Sequence, residues 1–399
     1  MVASSTERDG NNQSSALATG RSLLLRDSLN LLGLIFVTLV LFAVTLFLFR
    51  SFAAHQTELG RWWSDRGRVA LAQGRPEQAV DSLRTALTYA PGERAYELLL
   101  AEALSEAGHA DEAFNYFSEL WDAEPGNGFI NLELARISAA KHEQQQAVNF
   151  YRAAIDGTWE GDGVLRRRAV RLELSRYLLR HRDFGAARAE LLIVDGNANN
   201  DPALDMELGQ LFEQAEDQSS ALDAYRRAAK SDPKQSAAFT AAGRLAYSMG
   251  EFATAQRWLR EALSRESSSG TLPEGDRAQV SGLLKNADRI LELAPSDRLS
   301  RKEVQTRVIN LRDLVNHRLD ACNAAVKTID SPLQQIEERW SAGGRSASRS
   351  ALLHDPFREG ELLQLIFETE VKANQVCGMP TGDDALVILL ARDPKAADR

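Results

Sequence analysis

A spacing of 34 residues runs through the middle of this chain. Ala79, Ala113 and Ala147 stand 34 apart, and so do Leu83, Phe117 and Tyr151. Gly67, Ala101 and Ala135 make a third column. After a six-residue shift near GDGVLR (161–166), the frame resumes with Ala187, Ala221 and Ala255. Leu191, Tyr225 and Leu259 follow these by four residues, and Ser175, Gly209 and Gly243 precede them by twelve. Pro91, Pro125 and Pro233 fall at the ends of three units. Ala, Leu, Arg and Glu dominate while Gly and Pro are sparse, so each period reads as helix.

Small and bulky residues at fixed places in a 34-residue period resemble the tetratricopeptide repeat, a helix–turn–helix unit. Six units fit, at about 60–93, 94–127, 128–161, 168–201, 202–235 and 236–269. Trp63 holds the signature Trp place in the first unit alone, and the fourth unit lacks its Pro. The expected fold is all-α: a solenoid of about six repeats, preceded by one transmembrane helix and followed by a small helical domain. One helix pair cannot bury its apolar side alone, so neighbours must stack. Small residues in the Gly67 and Ala79 columns let helices approach, and a bulky residue there costs ~1–3 kcal/mol.

The resemblance implies that the first helix of each unit lines a concave face, with its ninth residue in the groove. Those residues are Arg68, Glu102, Arg136, Arg176, Gln210 and Arg244, with Phe129, Leu132 and Met206 as apolar neighbours. Arginines in a row bind carboxylates through bidentate forks, which suggests a protein or peptide partner of acidic character. The competing reading has them solvated or paired with Glu133, Glu173 and Glu207. The Lys and Asn pattern with which the family clamps chaperone C-termini is not reproduced. Arg166, Arg167, Arg168 and Arg171 invite a phosphate or lipid reading, but adjacent arginines on a helix diverge and Glu173 follows, which favours a solvated helix start.

Residues 31–49 (LLGLIFVTLVLFAVTLFLF) are uncharged, and a helix of that length spans ~28 Å. They read as a transmembrane helix within 29–50, after a disordered tail over 1–28 rich in Ser, Asn, Thr and Gly. A cleaved signal peptide fits less well, because the apolar run is long and Arg50 precedes Ser51 and Ala53. Arg50, Arg61, Arg66 and Arg68 outnumber Arg21 and Arg26, which taken literally keeps the body cytoplasmic. The last three of those fall inside a folded domain, and long domains translocate regardless of charge, so an extracytoplasmic, periplasmic body on the inner membrane is expected.

Beyond the repeats, RESSSGTLPEGD (265–276) reads as a linker and 276–297 as a capping helix. Residues 300–399 read as a helical domain of no recognised family. Val304, Val308, Leu311, Val315, Leu319, Cys322 and Val326 form one helical face over 301–327. SAGGRSASRS (341–350) reads as a flexible loop, 357–378 as a helix ended by Gly378, and 381–392 as a helix capped by Thr381. Cys322 and Cys377 are the two cysteines, a disulfide candidate in an oxidising compartment or two buried thiols otherwise. His317 with Cys322 lacks the third partner of a catalytic set.

A net charge of −9 argues against nucleic acid as a partner. No Cys/His cluster, phosphate loop or dinucleotide fingerprint is present, so no metal or cofactor and no enzymatic activity are expected. The leading expectation is a membrane-anchored scaffold, similar to envelope proteins with one N-terminal anchor and a periplasmic repeat domain that assist assembly or secretion. The alternatives are a cytoplasm-facing repeat adaptor of envelope biogenesis, although the paired C-x-x-C motifs of that group are missing, and an enzyme with its chemistry in 300–399.

Overall fold

The computed structural model describes residues 10–198, 200–269, 274–325, 333–354 and 356–392. Among these the only regular structure is helical, with one isolated β-bridge between Asn127 and Thr158. The chain divides into two compact units, residues 1–170 and 171–399.

In the first unit, α1 (Gly10–Ala72) is a single helix of 63 residues. It runs unbroken through residues 10–28, the apolar stretch, and the first helix of the first repeat. That corrects the expected tail for residues 10–28, while residues 1–9 lie outside the described set. The side chains from Leu29 to Phe49 face outward, with no part of the most apolar window buried. The partners of α1 and its successors are α2 (Pro76–Tyr89), α3 (Arg94–Glu106), α4 (Ala110–Ala123), α5 (Gly128–Ala140) and α6 (Gln144–Asp156). Pro76 opens α2 with its φ already helical, and the Asn127 side chain caps α5 by accepting from the Phe129 and Ile130 N–H groups.

The six-residue shift has a physical cause. After α6 the chain folds back, with Gly128 N–H donating to the Thr158 carbonyl and Thr158 N–H to the Gly126 carbonyl, both at 2.8 Å. A Cβ on Gly157 would lie 2.8 Å from Gly128 Cα, so the two strands of backbone meet where only glycine fits. Arg167 donates to the Ile155 and Gly157 carbonyls at 3.1 and 3.0 Å, satisfying the frayed end of α6.

The second unit takes up α7 (Gly163–Arg180) from Arg171 onward, then α8 (Phe184–Asp195), α9 (Pro202–Gln214), α10 (Gln218–Ser231), α11 (Ser236–Ser248) and α12 (Phe252–Ser269). Asp183, Asp201 and Asp217 cap α8, α9 and α10 through their carboxylates. Every turn between the two helices of a repeat passes through a left-handed residue: Gly74, Gly108 and His142, then Arg182, Glu216 and Gly250, with φ between 59° and 83°. These positions keep the 34-residue step inside each unit.

The column of small residues packs on the column of bulky ones within the same repeat. A Cβ on Gly67 would fall 2.6 Å from Leu83, one on Gly209 2.4 Å from the Tyr225 ring, and one on Gly243 2.7 Å from Leu259. Ala101, Ala135 and Ser175 stand at the same place and are fully buried. The period in the sequence is therefore a contact in space.

The remaining helices are α13 (Glu274–Leu293), α14 (Arg301–Ala325), α15 (Gln334–Arg339), α16 (Arg349–His354), α17 (Pro356–Cys377) and α18 (Asp383–Arg392). Helix α12 continues to Ser269 and α13 starts at Glu274, so most of the expected linker is helical, while 270–273 lie outside the described residues. Val326 and residues 393–399 also lie outside them. The stretch 341–350 is not an open loop. The helix kinks at Gly343, within Trp340–Gly344; Trp340 is completely buried, and its Nε1 donates to Thr369 Oγ1 at 2.9 Å. The C-terminal helices do not form a separate core either. Phe252 of α12 and Ile290, Leu293 and Ala294 of α13 share one apolar cluster with Val308, Leu319, Trp340, Ile366 and Leu390. Arg307 donates to the Ala294 carbonyl at 2.9 Å, and Arg289 of α13 pairs with Asp383 of α18 at 2.7 Å. Cys322 and Cys377 are joined by a disulfide, Cα atoms 5.9 Å apart, which ties α14 to the end of α17.

Candidate functional site

The expected groove residues all lie on the first helices of the repeats: Arg68 on α1, Phe129, Leu132 and Arg136 on α5, Arg176 on α7, Met206 on α9 and Arg244 on α11. Arg68, Phe129, Leu132 and Arg136 belong to the first unit, and Arg176, Met206 and Arg244 to the second. Each arginine already holds a carboxylate. Arg68 reaches Asp65 at 3.0 Å and Arg136 reaches Glu133 at 2.8 Å. Arg176 pairs with Glu207, and Arg244 contacts both oxygens of Glu213 at 2.7 and 3.0 Å. Glu133 and Glu207 are two of the carboxylates that the competing sequence reading named. Leu132 is only 7% exposed and offers no surface to a partner, while Phe129 and Met206 are half-buried. The Phe129 ring lies 6.5 Å from that of Phe117 and serves the core of the first unit.

In the second unit Arg176, but neither Met206 nor Arg244, lines a cleft of about 700 Å³ between α7 and α9. Arg176, Leu179 and Arg180 form one wall, and Glu207, Gln210 and Gln214 the other. Its chemistry is polar with one positive charge in excess: two guanidiniums, one carboxylate and two carboxamides. Glu213 was missed by sequence reasoning. It accepts from Tyr225 Oη at 2.6 Å as well as from Arg244, so one carboxylate links α9, α10 and α11. Burial and then that carboxylate push the Tyr225 phenol far above its ordinary range, so it stays a donor. In the first unit, burial followed by repulsion from Glu106 pushes the Glu102 carboxyl up.

Arg166, Arg167 and Arg171 make internal contacts. Arg167 caps α6 as described, Arg166 lies over the Trp159 ring at 5.8 Å, and Arg171 pairs with Glu190 of α8. No group of three His, Cys, Asp or Glu side chains is placed to hold a metal among the described residues.

Residues 64–128 and 172–236 match the family model described as tetratricopeptide repeat. The chain carries tetratricopeptide repeats. The matched stretches take in most of the first, second, fourth and fifth repeats, while α5–α6 and α11–α12 supply the third and sixth as helix pairs. Among solved structures, pilF of Pseudomonas aeruginosa is 16% identical, covering 57% of this chain and 99% of its own, with a TM-score of 0.38. The C-terminal part of a TPR repeat-containing protein from Cytophaga hutchinsonii is 14% identical over 62% and 93%, with a TM-score of 0.43. YrrB, described as a TPR protein with an unusual peptide-binding site, is 13% identical over 51% and 99%, with a TM-score of 0.38. No curated protein matches the chain.

Proposed function

We propose that this protein is a membrane-anchored, non-enzymatic tetratricopeptide-repeat scaffold that docks a protein partner on the first helices of its repeats and serves the assembly or secretion of envelope proteins. In this reading residues 29–50 cross the inner membrane and the repeats lie outside the cytoplasm. The observation that carries it is the pairing of a wholly exposed apolar helix with repeats whose cleft beside Arg176 and Gln210 is uncovered. The disulfide supports an oxidising compartment. Arg176 and Arg244 keep 45% and 48% of their side-chain surface exposed, so each can exchange its internal carboxylate for one on an acidic partner.

The deciding experiment is protease digestion of osmotically opened cells with an intact inner membrane. Loss of residues 60–399 is expected. Protection of the body alongside a cytosolic marker would turn the protein around and make it a cytoplasmic adaptor. A photo-crosslinker at Gln210 should then trap a discrete partner, and Arg136→Ala with Arg176→Ala should abolish that product. An undiminished product in the double variant would remove the arginines from the docking role.

A further inference from the structure

Arg68, Arg136, Arg176 and Arg244 are tied to carboxylates, but a second cleft holds cations that are not neutralised in this way. It lies on the second helices of the fifth and sixth repeats, between α10 and α12, and encloses about 640 Å³. Arg226, Lys230, Arg257 and Arg265 line it, against a single carboxylate, Glu261. Two of these cations are fixed. Arg265 donates to Glu261 at 2.9 Å and to the Pro233 carbonyl at 2.8 Å, with its guanidinium 4.2 Å from the centre of the Phe239 ring. Arg226 is held by Asp223 and Glu251, both at 3.2 Å. The other two, Lys230 and Arg257, are exposed and have no carboxylate partner among the described residues. Arg257 sits 5.6 Å from the centre of the Trp258 ring, and Trp258 rests on Phe239 at 5.5 Å.

An aromatic wall beside two unneutralised cations complements a ligand that carries carboxylates and one large apolar side chain. The rest of the molecule narrows the choice. A net charge of −9 repels long polyanions such as nucleic acid or an anionic membrane face, whereas a short acidic segment meets mainly the local field of the cleft. We propose that this cleft is a second docking site, which takes an acidic segment of a partner protein with an aromatic or aliphatic side chain laid on Trp258. It is independent of the first-helix cleft, and each can fail without the other.

The test uses the full chain in nanodiscs of neutral lipid. The probes are a short fluorescein-labelled peptide of Glu and Leu with one Phe, and its counterpart with Gln for every Glu, read by fluorescence anisotropy. The acidic probe should bind about tenfold or more tightly than the Gln probe. Added to Arg136→Ala and Arg176→Ala, so that the other cleft does not contribute, Lys230→Glu with Arg257→Glu should erase that preference. Both residues are exposed, so an unchanged thermal melt of the variant is expected and will show that the fold persists. Arg136→Ala with Arg176→Ala should leave the preference intact. Equal binding of the two probes, or a preference that survives the charge reversal, would overturn the proposal. So would sensitivity of vesicle binding to the reversal, with anionic phospholipid captured and the peptide not, because the site would then be a membrane contact.

Discussion

Gly209 has no room for a single further carbon: its Cβ would sit 2.4 Å from a Tyr225 ring whose hydroxyl is held by Glu213. The ring cannot swing away without breaking that bond, so Gly209→Ala should destabilise the second unit by ~1–3 kcal/mol. Urea unfolding would read it, and a variant as stable as the parent would refute the contact. Glu370 offers a test with pH. It is wholly buried on α17, and neither carboxylate oxygen has a hydrogen-bond partner among the described residues. Burial first, then Asp384, push its carboxyl up to about 8 against the opposing pull of Arg318. The folded chain therefore keeps this proton where the unfolded chain has lost it. Its stability is whole below pH ~4.5, falls as pH rises toward 8, and levels off above. Glu370→Gln should leave the melting temperature nearly unchanged at pH 4 and raise it increasingly from pH 5 to pH 8. A flat difference across that range would show that the group is not held neutral.

At the scale of elements, the turns carry a hidden cost. His142, Arg182 and Glu216 adopt the left-handed backbone that Gly74, Gly108 and Gly250 take at no steric penalty. Glu216→Gly should stabilise the second unit by about 1 kcal/mol, less whatever the freer unfolded chain gives back. A loss of stability would mean that the Glu216 side chain contributes more than its backbone costs. The disulfide joins α14 to α17 across 55 residues. Replacing both cysteines with Ala should cost ~4 kcal/mol in the chain-entropy model and speed amide exchange in those two helices. Unaltered exchange would assign the C-terminal stability to packing alone. The elements also show what a sequence can reveal. The repeat was readable because Gly67 with Leu83, Gly209 with Tyr225 and Gly243 with Leu259 are contacts inside one period. Arg176 with Glu207 and Arg244 with Glu213 cross between repeats in opposite directions, so a column of arginines looked more open than it is. Leu132 is buried at a place where the repeat frame predicts a groove residue. Trp340 was invisible because the glycines after it resemble a loop, whereas they close a turn over it: a Cβ on Gly344 would lie 2.8 Å from the indole.

For the molecule as a whole, the continuity of α1 matters most. Gly60 is the first buried residue of the helix after the apolar stretch, a Cβ on it would lie 3.3 Å from Ala90, and the helix reaches it from Phe49 without a break. In the proposed topology that interval is a post about 16 Å tall, at 1.5 Å per residue. A post of this kind sets height and compass bearing together. One residue inserted near Ala54 would lift the first repeat by about 1.5 Å and swing it through about 100° about the membrane normal. A partner fixed in the same membrane would then meet a different side of the first repeat, with every contact residue intact.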